Sequence, residues 1–434
     1  MRLRAMIDAP AARIRLILAV ALLGMGACPT IAGAESSQVS VGPIQTLAHV
    51  PYPGNPGAAT IDGNTMWVDS SGVYDRAFDG YSAVFAYDLN TGRLQSRRPN
   101  PITVSKPPVA AMGLAGIALD AAGRLYIADM NGQGVLRLDP RTNAISLYGS
   151  VPTSTSTSLT AMPTFEVFGP DGSLYVSDAS APVIWRVPPG GGRAQPWFAD
   201  PRLAGYTTTA VDGIAIDPSG RELYLATGAP ADIRIYRLPL AHPDAAHLQL
   251  FHTYHLSPVL CTDNAAHVAG PNGPAALLGC LGLNIAGAGG IVFGKSGRLY
   301  VSLLPVAQLS ILSPGGHELL RFPDPQQNMQ LDNPVNAPFN LSLDGSGRLL
   351  IADNGDPSNG YGPGQTPLPG GVDDSKSWAI LAVQVHDTPG RLFRPDLPPG
   401  HGNPRPLKRP PSKNGNHLSK KKQHKKHHKT KHHH

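Results

Sequence analysis

A short phrase that recurs five times constrains the fold of this 434-residue chain more than any other feature. Each copy has a glycine-containing turn, then Leu-Tyr or Leu-Leu, then small and apolar residues that end in Asp in three copies. The second residue of the pair falls at positions 126, 175, 224, 300 and 350, so the steps are 49, 49, 76 and 50 residues. Repeats of this size, built from turns and short strands, are typical of β-propeller blades. The long step indicates an insertion of about 26 residues.

Each repeat has the pattern of four antiparallel strands. In the first full copy, Ile117–Leu119 and Leu125–Ile127 flank a turn whose glycine supplies the backbone freedom that a tight hairpin needs. The segment Val135–Leu138 then alternates apolar and basic residues, as expected of a strand with one face on a neighbouring blade. A weaker outer strand follows at Ile145–Tyr148.

Two further segments complete the ring. A degenerate repeat precedes the five copies and has its first hairpin at Thr60–Val68. The last repeat ends in Trp378–Val385, and Ile44–Ala48 is a candidate closing strand for that same blade. The sequence therefore predicts an all-β protein, a six-bladed β-propeller with four-stranded antiparallel blades.

Residues 1–34 have the pattern of a secretory signal peptide. Four arginines flank or precede the apolar run Leu16–Gly24, and Ala32–Ala34 matches an A-x-A cleavage site. Because the run is too short to span a membrane comfortably, no transmembrane helix is expected after cleavage. The protein is predicted to be secreted, periplasmic or otherwise in the cell envelope. The alternative is lipid attachment at Cys28, whose neighbours match a lipoprotein cleavage box imperfectly.

The predicted propeller occupies residues 35–400, with the insertion at about 252–288. Once the leader is removed, Cys261 and Cys280 are the remaining cysteines and both lie in the insertion, so a disulfide between them is expected in an oxidising compartment. The alternative is a zinc site drawn from the side chains of this region, which include His252, His255, Cys261, Asp263 and His267.

Charge is divided between the propeller and its tail. The whole chain carries +6, while residues 1–34 carry +3 and residues 401–434 carry +11, so residues 35–400 carry −8. The tail has eight histidines and no apolar periodicity, which predicts a disordered Lys/His-rich segment. It is interpreted as a solvated tail, or as a segment that binds an anionic cell-surface polymer, nucleic acid or transition metals.

In a propeller, the inner strands begin at one mouth of the central channel, so the residues eight positions before each turn glycine form a ring there. The ring predicted in this way consists of Ala115, Thr164, Asp212, Gly289 and Phe339. In the degenerate first blade the equivalent position is near Gly57. Asp129, Asp178 and Asp353 follow second strands on the same side, and their repetition favours a structural role in turns. Asp212 itself could cap a local turn instead of serving a ligand.

The segment Val211–Gly220, together with the repeated Gly-x-Leu-Tyr turns, resembles the senescence marker protein, gluconolactonase and luciferin-regenerating enzyme family over residues 42–395. NHL-repeat and strictosidine-synthase-like propellers are similar too. The resemblance implies six blades, a Ca²⁺ or another divalent cation in the channel, and hydrolysis of sugar lactones. It also implies metal ligands of the type Glu, Asn and Asp at the ring, of which Asp212 alone matches here, because Gly57, Ala115 and Thr164 stand at the others.

Two more side chains are candidates for the site. Glu166 lies on an inner strand where other blades have Ile117, Ile214 and Ile291, so it either faces the channel or is paired. Asn340 is adjacent to the ring. One hypothesis is a metal-assisted lactone or ester hydrolase, with Asp212 and Asn340 as metal ligands and Glu166 as a further ligand or base. The rival is a monomeric, non-catalytic propeller that binds a small molecule in the channel or a partner protein at the cell surface.

Overall fold

The computed structural model describes residues 39–51, 54–70, 82–95, 102–105, 113–130, 134–152, 161–204, 211–228, 232–255, 289–304, 308–323, 335, 338–353 and 378–398. The described residues form one compact unit. The cysteines Cys261 and Cys280, the leader 1–34 and the tail 401–434 lie outside the described residues.

The described chain is almost entirely β-structure. The strands are β1 (Gln45–His49), β2 (Pro56–Asp62), β3 (Thr65–Ser70), β4 (Ser82–Asp88), β5 (Ile102–Ser105), β6 (Leu114–Leu119), β7 (Leu125–Asp129), β8 (Gly134–Asp139), β9 (Ala144–Ser150), β10 (Pro163–Phe168), β11 (Leu174–Asp178), β12 (Val183–Val187), β13 (Gly192–Arg193), β14 (Gln195–Ala199), β15 (Val211–Ile216), β16 (Glu222–Gly228), β17 (Asp232–Pro239), β18 (Gln249–His255), β19 (Ile291–Phe293), β20 (Leu299–Leu303), β21 (Gln308–Leu312), β22 (Glu318–Phe322), β23 (Pro338–Leu343), β24 (Arg348–Asp353) and β25 (Ala379–Gln384). A short 3-10 helix covers Pro201–Leu203. Nowhere in these ranges is there a helix with the length and apolarity to cross a membrane.

The strands form six antiparallel sheets, which are the six predicted blades. Counted from the channel outward, they are β2-β3-β4-β5, β6-β7-β8-β9, β10-β11-β12-β14, β15-β16-β17-β18, β19-β20-β21-β22 and β23-β24-β25-β1, numbered here as blades 1 to 6. Blade 2 also carries β13, which adds to the outer edge of β9 in parallel. This fifth strand departs from the predicted four, because a glycine-rich loop of blade 3 reaches the neighbouring edge.

Blade 6 closes the ring with strands from both ends of the propeller. Strand β1 pairs with β25, with Gln45 opposite Ala382 and His49 opposite Ala379. The closing strand predicted from the sequence is therefore confirmed. Ala48 and Ile380 are buried in one cluster with residues of blade 1, so closure also joins the first and last blades.

The repeated tyrosines fill the spaces between blades. Tyr126 is fully buried and packs edge-on against Tyr148 at a ring-centroid distance of 4.6 Å and against Phe168 of blade 3 at 4.9 Å. Tyr224 does the same with Phe293 of blade 5, at 4.8 Å. Buried aromatic pairs of this geometry stabilise by about 1 kcal/mol beyond their burial. The tyrosine of the repeated Leu-Tyr pair thus makes an interblade contact in blades 2 and 4.

In blades 2, 4 and 6 the turn of the inner hairpin is held by an aspartate that accepts hydrogen bonds from that hairpin. In blade 2, Asp120 accepts from the amide of Arg124 at 3.0 Å and from the Tyr126 hydroxyl at 3.0 Å. Blade 5 has Gly294 where the aspartate would be, and Asp387 from beyond β25 occupies that place. Asp387 accepts from the amide of Ser296 at 3.2 Å and from the Tyr300 hydroxyl at 3.1 Å.

Residues Asp387–Pro398, which we call the C-terminal strap, cross the end of the channel where the inner hairpins turn. The Gly390 amide donates to the Phe293 carbonyl at 2.8 Å, and Pro395 accepts from the Ala121 amide at 3.0 Å. Arg394 forms an ion pair with Asp62 at 3.3 Å. Along the chain, the strap therefore contacts blade 5, then blade 1 and then blade 2. We call this end the lower mouth, and the end where the inner strands begin the upper mouth.

Candidate functional site

The inner strands of all six blades surround a central cavity of about 390 Å³. Its wall is mainly aliphatic, because the inner strands place Ile, Val, Leu and Ala side chains at most of the lining positions. The strap residues 389–394 contribute to the wall at the lower mouth. A volume in this range is typical of pockets for small molecules.

An aromatic pair separates this cavity from the upper mouth. Phe165 of blade 3 and Phe339 of blade 6 lie with their ring centroids 5.3 Å apart. Since blades 3 and 6 are opposite in a six-membered ring, this contact crosses the channel. On the other side, the cavity reaches the exposed turn residues Gly63 and Gly345 beside the strap. The cavity therefore approaches solvent at the lower mouth, whereas the sequence analysis placed the site at the upper one.

Glu166 is an acidic residue of the cavity wall, on inner strand β10. Strand pairing aligns it with Ile117, Ile214 and Ile291, because each is opposite the residue that follows the Leu-Tyr pair of its second strand. Its residue is only 9% exposed, and neither carboxyl oxygen has a hydrogen-bond partner. Glu166 lines the cavity and its carboxyl is unpaired, but both carboxyl oxygens are buried against the inner strand of blade 2, so the carboxyl itself does not open onto the channel.

The pKa of Glu166 is shifted strongly upward. Burial raises the pKa of this carboxyl well above its usual range, and the charge of Asp69 raises it further. The amides of Ala128 and Ala118 offset part of the effect without meeting hydrogen-bond geometry. The carboxyl lies against Gly116, where a Cβ atom would collide with Oε2. Burial in a site that glycine makes room for therefore favours the protonated form of Glu166.

Asp69 is a second buried acid that the sequence analysis missed. It lies on β3, is fully buried, and accepts a hydrogen bond from the Ala58 amide at 2.5 Å. Its other oxygen, Oδ2, has no partner. Burial raises the pKa of Asp69 to about 7 in spite of the amides of Ala58 and Gly57. A comparison of the second strands could have found it, because the same position holds Ala or Ser in the other five blades.

Asp212 lies on β15 at the upper mouth, as predicted, but it does not line the cavity, whose wall on that strand begins at Ile214. The residue is partly accessible, and the protein around it desolvates the carboxyl and raises its pKa to about 7. No charge on Glu166 or Asp69 contributes to this shift. The structure therefore does not bring Asp212 together with Glu166.

Asn340 does line the cavity, opposite Glu166 in the order of blades. Its Oδ1 accepts from the amide of Leu341 at 2.7 Å and rests against Gly290, where a Cβ atom would collide with it. On the same strand, the hydroxyl of Ser342 is buried without a hydrogen-bond partner. The polar residues of the cavity wall are Thr60, Glu166, Asn340, Ser342, Asp344, Arg391 and Arg394.

The repeated aspartates have the structural role that their repetition predicted, and Asp178 shows it most fully. Its Oδ1 accepts from the amides of Met162 at 3.0 Å and Ser180 at 2.9 Å, and its Oδ2 accepts from the Trp185 indole at 2.9 Å. All of its acceptor positions are directed to its own blade. Asp178 is therefore part of the scaffold and no candidate for chemistry.

The described residues do not fit a divalent cation. Ca²⁺ needs six to eight oxygen ligands, yet Asp212 does not line the cavity that Glu166 and Asn340 line, and the oxygen of Asn340 is engaged by a backbone amide. Within the described ranges there is no group of three His, Cys, Asp or Glu side chains that could hold a metal. His252 and His255, of the zinc alternative, lie on β18 and bond to Gly316 and Asp232 instead.

Comparison with known proteins agrees with the fold. No family model matches this chain, and no curated protein matches it. Among solved structures, the calcium-binding protein regucalcin from Agrobacterium tumefaciens superposes with a TM-score of 0.51 at 15% identity, covering 82% of this chain and 97% of that one. A luciferin-regenerating enzyme gives 0.51 at 10% identity, covering 82% and 99%. The predicted resemblance is confirmed at the level of the fold.

Proposed function

We propose that this protein binds a small, largely apolar molecule in the central cavity and that protonated Glu166 donates a hydrogen bond to a carbonyl oxygen of that molecule. One observation carries the proposal: Glu166 is a buried carboxyl in an aliphatic wall, and neither of its oxygens has a partner. A buried polar group without a partner costs about 1–3 kcal/mol. The carboxyl is closed off from the cavity by its contact with blade 2, so the ligand is proposed to meet it after the Glu166 side chain turns toward the cavity, and the new hydrogen bond then recovers that free energy.

The rest of the cavity supports a neutral ligand. The aliphatic wall favours an apolar body, while Ser342 and Asn340 offer polar contacts on the opposite side. Lactones and esters combine an apolar chain with a carbonyl acceptor, which is the chemical class that these groups fit. Calcium binding, recorded for the Agrobacterium protein, is not proposed, because the described residues lack a convergent ligand set.

The test is a calorimetric titration with medium-chain γ- and δ-lactones and the matching open-chain esters. Glu166→Gln retains a neutral donor, so we expect it to bind as wild type does. Glu166→Leu removes the donor and should weaken binding roughly fivefold, since one hydrogen bond is worth about 1 kcal/mol. Asp212→Asn is the matched control at the upper mouth and should leave affinity unchanged.

Two results would contradict the proposal. Equal loss of affinity in Glu166→Gln and Glu166→Leu would show that a neutral hydrogen-bond donor at this position does not support binding. Loss in Asp212→Asn alone would place the ligand at the upper mouth. Because wild-type binding needs the proton on Glu166, its affinity should fall at alkaline pH, whereas the Glu166→Gln affinity should not change with pH.

Hydrolysis of a lactone or ester is the second candidate function, favoured by the same carboxyl. A protonated acid near a carbonyl can act as a general acid when its pKa lies near the working pH or above it. Under this alternative, Glu166→Gln would still bind the lactone but would not open its ring. A coupled measurement of binding and ring opening in this variant therefore separates a binding protein from a hydrolase.

We further propose that the chain is exported as a monomer, that residues 35–400 are its folded domain, and that its tail binds anionic polymer at the cell surface. The support is the leader pattern of residues 1–34 and the charge of +11 on residues 401–434. Truncation after Gly400 should abolish binding to an anionic polysaccharide, and added salt should weaken binding of the full chain. Binding that survives truncation would contradict the tail's role.

A further inference from the structure

The six blades provide an internal comparison, and two acids stand out in it. At the position of Glu166 the other inner strands carry only aliphatic residues: Ala59, Ile117, Ile214, Ile291 and Leu341. At the position of Asp69 the other second strands carry Ala128, Ser177, Ala226, Ser302 and Ala352. Residues that recur in every blade serve the scaffold. Acids that occur once, at buried positions, need another explanation.

Both acids lie where the inner strands of neighbouring blades pass close to one another. The carboxyl of Glu166, from blade 3, rests against Gly116 of blade 2. The carboxyl of Asp69, from blade 1, lies beside Gly57, and a Cβ added to Gly57 would be 2.8 Å from Asp69 Oδ1 and 3.0 Å from the Cα of Ala115. Each carboxyl therefore lies beside an inner-strand glycine, and the two glycines belong to neighbouring strands that meet at Gly57 and Ala115.

Three of the four carboxyl oxygens of Asp69 and Glu166 have no hydrogen-bond partner. Asp69 is fixed through Oδ1 by the Ala58 amide, while its Oδ2 and both oxygens of Glu166 are unpartnered. Asp69 is the charged group that acts on Glu166, and the amides of Ala118 and Ala128 are the backbone groups nearby. Across the part of the chain that the structure describes, no lysine, arginine or histidine forms an ion pair with either acid. Nothing here neutralises a second negative charge.

We propose that Asp69 and Glu166 form one two-carboxyl unit, in which Asp69 is a positioning residue that keeps the proton on Glu166 and so maintains the donor of the cavity. The inference deepens the proposed function and rests on it for the role of that donor. Two buried carboxyls without a cation do not both ionise readily, because the first negative charge opposes the second. Asp69, held by backbone amides, ionises first, and the proton stays on Glu166, which is the proposed donor to the ligand.

The experiment is an infrared titration of the C=O stretch of protonated carboxyl groups, which needs no ligand. Above pH 7, where Asp69 and Asp212 lose their protons, the remaining band from a buried acid should belong to Glu166. It should be absent in Glu166→Gln. In Asp69→Asn the amide side chain keeps an oxygen for the Ala58 amide but carries no charge. In Asp69→Asn we expect the Glu166 band to disappear at a pH roughly one unit or more below the pH at which it disappears in wild type.

A second variant guards against misfolding. Asp69→Ser copies the residue at the same position in blade 3, where the Ser177 hydroxyl accepts from the Phe165 amide at 3.0 Å. It should shift the Glu166 band in the same direction as Asp69→Asn. A Glu166 titration that is unchanged in both folded variants would overturn the inference. If the shift occurs but no lactone binds, the two-carboxyl unit stands and the proposed ligand is wrong, so the two failures are distinguishable.

Discussion

At the scale of single residues, burial raises the pKa of two acids. It raises the pKa of Asp69 to about 7 and that of Glu166 well above its usual range. Asp344, the turn aspartate of blade 6, shows the opposite behaviour, since hydrogen bonds from Arg348 and Ser346 hold its pKa below the usual value although burial opposes this. The two kinds of acid therefore affect stability in different pH ranges.

The shift of Asp69 predicts how stability depends on pH. The folded state holds the proton of Asp69 up to about pH 7, whereas the unfolded chain releases it near the ordinary aspartate pKa of 3.8, so stability falls as pH rises between these values. Between about pH 5 and 7 this group alone should cost about 2 kcal/mol. Urea unfolding of wild type and Asp69→Asn across that range measures it. The variant should show the shallower dependence, and parallel curves would refute the assignment.

At the scale of elements, the C-terminal strap is bound to blade 5 by a replacement of the turn aspartate. Asp387 accepts from Ser296 and Tyr300 as Asp120 accepts from its own hairpin. The strap is further held by Arg124, whose guanidinium donates to the Pro398 carbonyl at 3.2 Å. The strap is thus an integral part of the lower mouth.

Asp387→Ala should loosen the strap and destabilise the protein by about 1–3 kcal/mol, because it leaves the Ser296 amide and the Tyr300 hydroxyl without their acceptor. Trypsin cleavage after the exposed Arg391 reports strap detachment and should accelerate. Asp396→Ala, at an exposed position of the same strap, is the matched control. Equal cleavage rates in the two variants would show that Asp387 is not the anchor.

What the sequence could predict is also clearest at this scale. The hairpins, the closing strand β1 and the ring position of Asp212 follow from the repeated phrase, because strand alternation and turn glycines are local signals. The aromatic pair of Phe165 and Phe339 and the path of the strap were not predictable, since they join residues far apart in the chain. They move the candidate site from the ring to the cavity below it.

At the scale of the whole molecule, the ring is closed by one strand, β1, on the last blade. Every other described blade is built from one continuous stretch of chain, so β1 is where the propeller can open. It buries Ala48 against blades 6 and 1 and pairs with β25 through its backbone.

Deletion through His49 should therefore cost roughly 3 kcal/mol or more, from several backbone hydrogen bonds and the apolar contacts of β1. Deletion through Gln38, which leaves β1 intact, is the matched control and should unfold like the full domain. Thermal unfolding of both truncations measures the difference. Identical midpoints would mean that closure does not depend on this strand.

The central claim is that the working site is the inner cavity with Glu166, and not the ring at the upper mouth. A crystal structure of the protein soaked with the tightest-binding lactone tests it most directly. The account predicts ligand density below Phe165 and Phe339, with the carbonyl oxygen within hydrogen-bond distance of the Glu166 carboxyl. Density beside Asp212 with the cavity empty would contradict it.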